Sequence, residues 1–196
     1  MRKTGIFGGS FNPPHTGHLI IAQEALHQLK LDRVVWVPAK KPPHKKLAGN
    51  ATDQDRAEMV RLAIEGNRQF GLSLIEFDRE GPSYTIDTVK QLLAEDQNQE
   101  ITFIMGGDMV SSLSTWKKIE ELREIAAFAG VRRKDSPINQ AWQDFGVKMI
   151  DVPLLEISST FIRNRRKDGG NVRYYIPPAV LHFMEEKGLY GQNSST

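Results

Sequence analysis

The sequence predicts an α/β fold: a single Rossmann-like, doubly wound parallel sheet with helices on both faces. Three observations carry that expectation. Short apolar runs at Thr4–Phe7, Val34–Val37, Leu72–Phe77, Ile101–Met105, Ala126–Val131 and Val147–Val152 read as strands. Apolar residues at helical spacing separate most of them, at Leu19–Leu29, Asp55–Ile64, Thr85–Leu93 and Ile119–Glu124. The glycine-rich and polar stretches fall at the carboxyl ends of the strands, where open sheets of this kind bind ligands.

Composition narrows the classes. A chain of 196 residues can bury one full core. Its 26 basic and 24 acidic residues nearly balance, whereas a dedicated nucleic-acid binder is more lopsided. With no cysteine, disulfides and thiolate metal sites are excluded. The start Met1-Arg2-Lys3 leads into an apolar run that breaks at Gly8, so no signal peptide is expected. No run approaches the ~20 apolar residues of a membrane span, and a cytoplasmic location is the default. No repeat, low-complexity block or linker interrupts residues 1–190, which read as one domain with a frayed polar tail at 191–196.

The first strand ends in Gly8-Gly9-Ser10-Phe11-Asn12-Pro13-Pro14-His15-Thr16-Gly17-His18. Leu19, Ala22, Leu26 and Leu29 then give one apolar helix face. The stretch is therefore a strand-to-helix crossing loop. Its glycines admit a ligand close to the backbone, and its prolines hold the entry extended. Thr16 is the expected N-cap, with Gly17 and His18 in a first turn whose free N–H groups and dipole favour an anion. The spacing is neither the dinucleotide fingerprint nor a P-loop. His-x-x-His without a third ligand nearby makes a weak metal site, and none is expected.

After the second strand, Lys40-Lys41-Pro42-Pro43-His44-Lys45-Lys46 reads either as a solvated charge run or as a clamp on phosphates. Thr52 to Asp55 resembles a capping box opening the next helix. Glu80-Gly81-Pro82-Ser83-Tyr84-Thr85 leads into another helix, with Ser83 or Thr85 as cap; with no basic side chain beside it, that N-terminus could hold a carboxylate. Gly106-Gly107-Asp108 closes the fourth strand, where Asp108 either accepts from ribose hydroxyls or caps the following helix. Trp116 is a stacking platform or a core anchor, while Trp36 and Trp142 read as structural. In Ile157-Ser158-Ser159-Thr160-Phe161-Ile162-Arg163, Ser158 is the expected N-cap and Ile157 and Ile162 occupy the staple positions. This is a third anion-binding helix start, with Arg163 one turn on. Pro177 and Pro178 open a last helix that stops near Gly188.

His15-Thr16-Gly17-His18 together with Ile157-Ser158-Ser159-Thr160-Phe161-Ile162-Arg163 resembles the paired signature of the nucleotidyltransferase superfamily. Pro42-Pro43-His44-Lys45, Gly81-Pro82-Ser83-Tyr84-Thr85, Gly106-Gly107-Asp108 and Trp116 extend the likeness, in order, to the bacterial nicotinate-nucleotide adenylyltransferases. The likeness spans Gly5 to Tyr190 and implies a single nucleotidyltransferase domain. One departure is Val131-Arg132-Arg133-Lys134, where the family has an arginine followed by proline; Arg133 takes the arginine's place.

The resemblance implies transfer of AMP from ATP to nicotinate mononucleotide, giving deamido-NAD and pyrophosphate in NAD biosynthesis. It implies Mg²⁺ carried on the ATP phosphates, with few protein ligands. His15, His18 and Arg163 are the implied catalytic residues, the histidines on the triphosphate and Arg163 with Ser159 on its β- and γ-phosphates. Gly8, Ser10, Phe11, Gly106, Asp108, Arg133, Ile157 and Ser158 complete the implied ATP site, with Asp108 and Gly106 serving ribose. Gly9, His44, Lys45, Tyr84, Thr85 and Trp116 form the implied nicotinate-nucleotide site. There Trp116 stacks on the ring, the Thr85 amide takes the carboxylate, and His44 and Lys45 close over the phosphates. Neither nucleic acid nor membrane is an implied partner, and homo-oligomerisation is left open. The rival readings are an adenylyltransferase preferring nicotinamide mononucleotide or phosphopantetheine, and a non-catalytic nucleotide- or RNA-binding protein.

Overall fold

The computed structural model describes residues 1–42, 47–132, 140–153 and 155–191, without the side chains of Asp108 and Arg132. Six strands form one sheet: β1 (Arg2–Gly9), β2 (Arg33–Pro38), β3 (Phe70–Leu72), β4 (Gln99–Gly106), β5 (Ala127–Arg132) and β6 (Lys148–Asp151). Every pairing is parallel and the order is β3-β2-β1-β4-β5-β6. The chain winds outward from β1 to one edge, returns to β4 and winds to the other. β1 and β4 therefore flank the crevice where the winding reverses, the place where open sheets hold ligands.

Helices cover both faces. On one lie α1 (Thr16–Gln28), α2 (Asp53–Ile64), α7 (Ser159–Lys167) and α8 (Pro178–Glu186), over a core that includes Phe7, Trp36, Ala22, Met59, Ile162 and Met184. On the other lie α3 (Thr85–Glu95), α5 (Ile119–Ile125) and α6 (Gln140–Asp144), over Ile6, Val35, Phe103, Val89, Leu122 and Trp142. Successive residues of β1 and β2 thus feed opposite faces, as the two-residue strand period requires. Near-continuous apolar runs are what a strand covered on both sides needs. A short α4 (Gly107–Val110) and a 3₁₀ turn (Leu113–Thr115) follow β4.

The third strand departs from the expectation. Pairing with β2 runs only from Val34↔Phe70 to Trp36↔Leu72, and residues 75–78 turn instead of extending. The next register positions on β2 approach Pro38, which has no N–H to offer a ladder. Beyond Leu72, the Phe77 amide bonds back to the Leu74 carbonyl at 2.7 Å. Lys40 Nζ donates to the carbonyls of Phe77 and Arg79, at 2.7 and 2.9 Å, and holds that turn closed. Trp142, read as structural, sits in α6 with 7% of its surface exposed.

Candidate active site

The crossing loop after β1 is held from several sides. The buried Arg56 of α2 donates from Nη1 to the Ser10 carbonyl at 2.8 Å and from Nη2 to Asp53 at 2.6 Å. Arg163 of α7 donates to the Asn12 carbonyl at 2.8 Å, and Ser159 Oγ donates to the Pro13 carbonyl, also at 2.8 Å. The buried Asn12 side chain donates to the Ala48 carbonyl at 2.7 Å and accepts from the Tyr190 hydroxyl. Burial pushes the Tyr190 phenol well above its ordinary range, so it stays a protonated donor. The Asn12–Pro13 peptide bond is cis, and Phe11 takes a φ of 42° in the left-handed region that few non-glycine residues enter. Its ring is almost wholly buried. The loop is thus a fixed object tied to α2, α7 and Tyr190.

The N-cap of α1 is His15, not Thr16. His15 has extended backbone angles, and its own amide donates to His18 Nδ1 at 3.2 Å. The first helical amide, that of Thr16, is taken by the Tyr175 carbonyl at 2.9 Å, so it is no longer free for an anion. The two imidazoles stack with centroids 3.6 Å apart and planes at 25°. His18 also meets the edges of Phe7, Phe11 and Trp36 at 5.9, 5.1 and 6.4 Å, which fixes its ring orientation. Because Nδ1 accepts the His15 amide, a neutral His18 carries its proton on Nε2. His15 is 6% exposed, and burial lowers its pKa from 6.5 to about 4, so it is neutral at physiological pH. Its Nδ1 is buried without a hydrogen-bond partner.

Beside this pair begins α7. Ser158 is its N-cap, accepting from the Phe161 amide at 3.1 Å, as expected. Ile157 and Ile162 pack into the same core cluster, the staple arrangement. Arg163 Nη2 reaches Thr160 Oγ1 at 3.1 Å. The structure therefore brings His15, His18, Ile157, Ser158, Ser159 and Arg163 to one seam. It also shows that the Ser158 and Ser159 hydroxyls already hold α7 and the loop.

A cavity of about 950 Å³ opens beside the ends of β1 and β2; its lining includes none of His15, His18, Ile157, Ser158, Ser159 and Arg163. Gly8, Gly9 and Ser10 form its wall on the loop side, and Tyr84, Thr85 and Trp116 line the far side. Trp116 is half-buried, its indole N–H donating to Ser112 Oγ at 3.3 Å and its ring edge-on to Phe103 at 5.7 Å. The tryptophan is anchored and faces the cavity at once. Tyr84 is the N-cap of α3 and makes no side-chain cap bond. Neither expected cap acts as one. Ser83 instead rivets the exit of β2: its Oγ accepts from the amides of Lys40 and Lys41, both at 3.2 Å, and its amide donates to the Lys41 carbonyl at 2.9 Å. Glu76, 8% exposed, also lines the cavity. It accepts from Thr88 Oγ1 at 2.6 Å and lies 3.8 Å from Arg79.

Gly106 and Gly107 sit where β4 gives way to α4. A Cβ at Gly107 would lie 2.5 Å from the Val131 carbonyl oxygen, which explains the glycine. The side chain of Asp108, and His44, Lys45 and Arg133 entirely, lie outside the described residues. The sequence reading missed Arg56, Asn12 and Tyr190. Arg56 had a readable signal: it lies four and seven residues before Val60 and Ala63, on the apolar face of α2.

The profile of the cytidylyltransferase-like family matches residues 6–165. A probable nicotinate-nucleotide adenylyltransferase of Geobacillus thermodenitrificans is 44% identical over 195 residues, covering 100% of this chain and 89% of the relative. The nicotinate-nucleotide adenylyltransferase of Bacillus subtilis is 43% identical over 190 residues, covering 97% and 99%. A Plasmodium falciparum nicotinic acid mononucleotide adenylyltransferase, solved in complex with NaAD, superposes with a TM-score of 0.81 at 20% identity, over 97% of this chain and 98% of that one; it supports the fold. The chain belongs to the cytidylyltransferase-like family, in its nicotinate-nucleotide adenylyltransferase branch.

Proposed function

We propose that this chain transfers AMP from ATP to nicotinate mononucleotide, releasing pyrophosphate and forming deamido-NAD. The observation that supports the reading is the stacked His15–His18 pair at the start of α1, beside the start of α7, on a loop whose Gly8, Gly9 and Ser10 wall a cavity that Thr85 and Trp116 also line. A phosphate oxygen of the mononucleotide attacks the α-phosphorus of ATP. The bond from that phosphorus to the bridging oxygen breaks, and the electron pair leaves with pyrophosphate. The nucleophile is already an anion, so no strong base is needed. The work is alignment and absorption of charge on the departing group.

In this reading the His18 Nε2–H donates to the triphosphate, its aim held by the His15 amide and the aromatic edges. His15 joins as a neutral hydrogen-bonding group. Arg163, with two of its five N–H groups on described acceptors, has donors left for the β- and γ-phosphates. Ser159, Ser158 and Ile157 frame that end, and Gly8, Ser10, Phe11 and Gly106 bring backbone to the nucleotide. Asp108 and Arg133 complete the ATP side. Trp116 stacks on the nicotinate ring, the α3 N-terminus at Tyr84 and Thr85 takes its carboxylate, and Gly9, His44 and Lys45 attend the mononucleotide. Residues 1–190 act as one domain, in the cytoplasm.

The family generally uses a divalent metal with ATP. Among the described residues no group of three or more His, Cys, Asp or Glu could hold an ion, and none of their helices is long and apolar enough to cross a membrane. We infer that the metal is Mg²⁺ arriving on the polyphosphate, where it neutralises phosphate charge. The test is pyrophosphate release from ATP and Mg²⁺ with nicotinate or nicotinamide mononucleotide as acceptor. Turnover with the acid is expected; absence of release with either acceptor overturns the assignment.

A further inference from the structure

The start of α3 was expected to hold a carboxylate unaided, with no basic side chain beside it. The structure puts one there. The Lys117 ammonium lies 4.2 Å from the centre of the Tyr84 ring and 3.2 Å from Asp87 Oδ2. Tyr84 is the N-cap of α3, and Asp87 lies in its first turn. Lys117 therefore spans the helix end from another element, and it lines the same cavity as Thr85 and Trp116. The chain turns sharply behind it, with Lys118 in the left-handed region at φ 53°.

We propose that Lys117 is a specificity-determining residue that favours an acceptor nucleotide bearing a carboxylate on its ring over one bearing a neutral amide. The inference rests on the function proposed above. Charge placement supports it. Among the described residues lining the cavity, the charged ones are Glu76 and Lys117. Glu76 Oε1 accepts from the Thr88 hydroxyl and lies 3.8 Å from Arg79, while its Oε2 is buried without a hydrogen-bond partner. Among the described residues, Lys117 is matched by Asp87, whose side chain is 43% exposed against 44% for its own. An exposed pair of this kind holds weakly, so the ammonium can be shared with an incoming carboxylate at little cost. In the cleft beside Thr85 that carboxylate meets a full positive charge and the positive end of the helix dipole. A neutral amide gains little from either. Tyr84 keeps the ammonium over its ring, which limits the positions Lys117 explores.

Steady-state kinetics with both acceptors tests this in the full chain. Lys117→Gln should lower the ratio of kcat/KM for nicotinate over nicotinamide mononucleotide by about tenfold, the scale of one charge-assisted hydrogen bond. The loss should fall in the KM for the acid, with the KM for ATP nearly constant. Lys117→Arg should keep most of the ratio. Asp87→Asn, which frees Lys117 from its competitor, should raise it. Thermal midpoints of the variants separate loss of fold from loss of selectivity. If the native chain turns over the acid and Lys117→Gln leaves the ratio unchanged at an unchanged midpoint, Lys117 has no such role and the assigned reaction stands. If the native chain turns over neither acceptor, both fall.

Discussion

At the scale of single residues, His18 is the strongest test. In the proposed reaction its Nε2–H serves as a preorganised donor, so His18→Ala should cut kcat by ~10²–10³ while the chain still unfolds cooperatively. Near-full activity in that variant would remove the histidine from the reaction. His15 makes a different prediction. Unfolded, its imidazole titrates near 6.5; folded, burial holds it at about 4. Between those values the unfolded chain takes up a proton that the folded chain refuses. This contribution is complete above pH 6.5 and is lost as pH falls toward 4, at up to ~1.4 kcal/mol per pH unit. Urea unfolding should therefore show a shallower stability loss across that window for His15→Gln than for the native chain. Equal slopes would mean that the imidazole is solvated. Trp116→Ala should raise the KM for nicotinate mononucleotide more than that for ATP, because its ring faces the cavity by Thr85; equal changes would make it a core anchor only.

At the scale of elements, local chemistry was legible wherever a helix began with its own signal. Thr52 and Asp55 form the capping box that their spacing announces, and Ser158 caps α7. Caps failed where the tertiary structure took the side chain. Ser83 serves the backbone of Lys40 and Lys41, and His15 rather than Thr16 opens α1. The run Leu72–Phe77 is apolar enough to read as a strand but ends its pairing at Leu72. A local pattern does not reveal that the neighbouring strand is about to stop. The junction of β4 and α4 gives the test at this scale. Gly107→Ala would push a Cβ against the Val131 carbonyl, and backbone cannot yield as a flexible side chain can. A loss of ~1–3 kcal/mol in denaturant unfolding is expected, as for other overpacked sites. A stability equal to the native chain's would show that the junction can relax.

At the scale of the whole molecule, alternation of strands and helices gave the sheet, and paired motifs far apart in the sequence gave the seam between α1 and α7. What the sequence hid is mostly a matter of distance along the chain. Lys117 reaches a helix start that lies thirty residues earlier at Asp87, and Tyr190 reaches Asn12 from the far end. Such contacts exist only once the sheet is wound. Tyr190→Phe should leave the Asn12 amide oxygen without its donor in a buried setting, costing ~1–3 kcal/mol. It should also raise the KM for ATP, since the same residue carries the loop; a change in stability with no change in KM would separate the two roles. That tie reaches past the finished protein to its synthesis. A ribosome can release the strands in order and let them pair, yet the turn that follows the first of them lacks one anchor until residue 190 is made. A nascent chain halted before residue 190 would own the sheet and the ties from Arg56, Ser159 and Arg163, with the Asn12 oxygen still waiting for its donor.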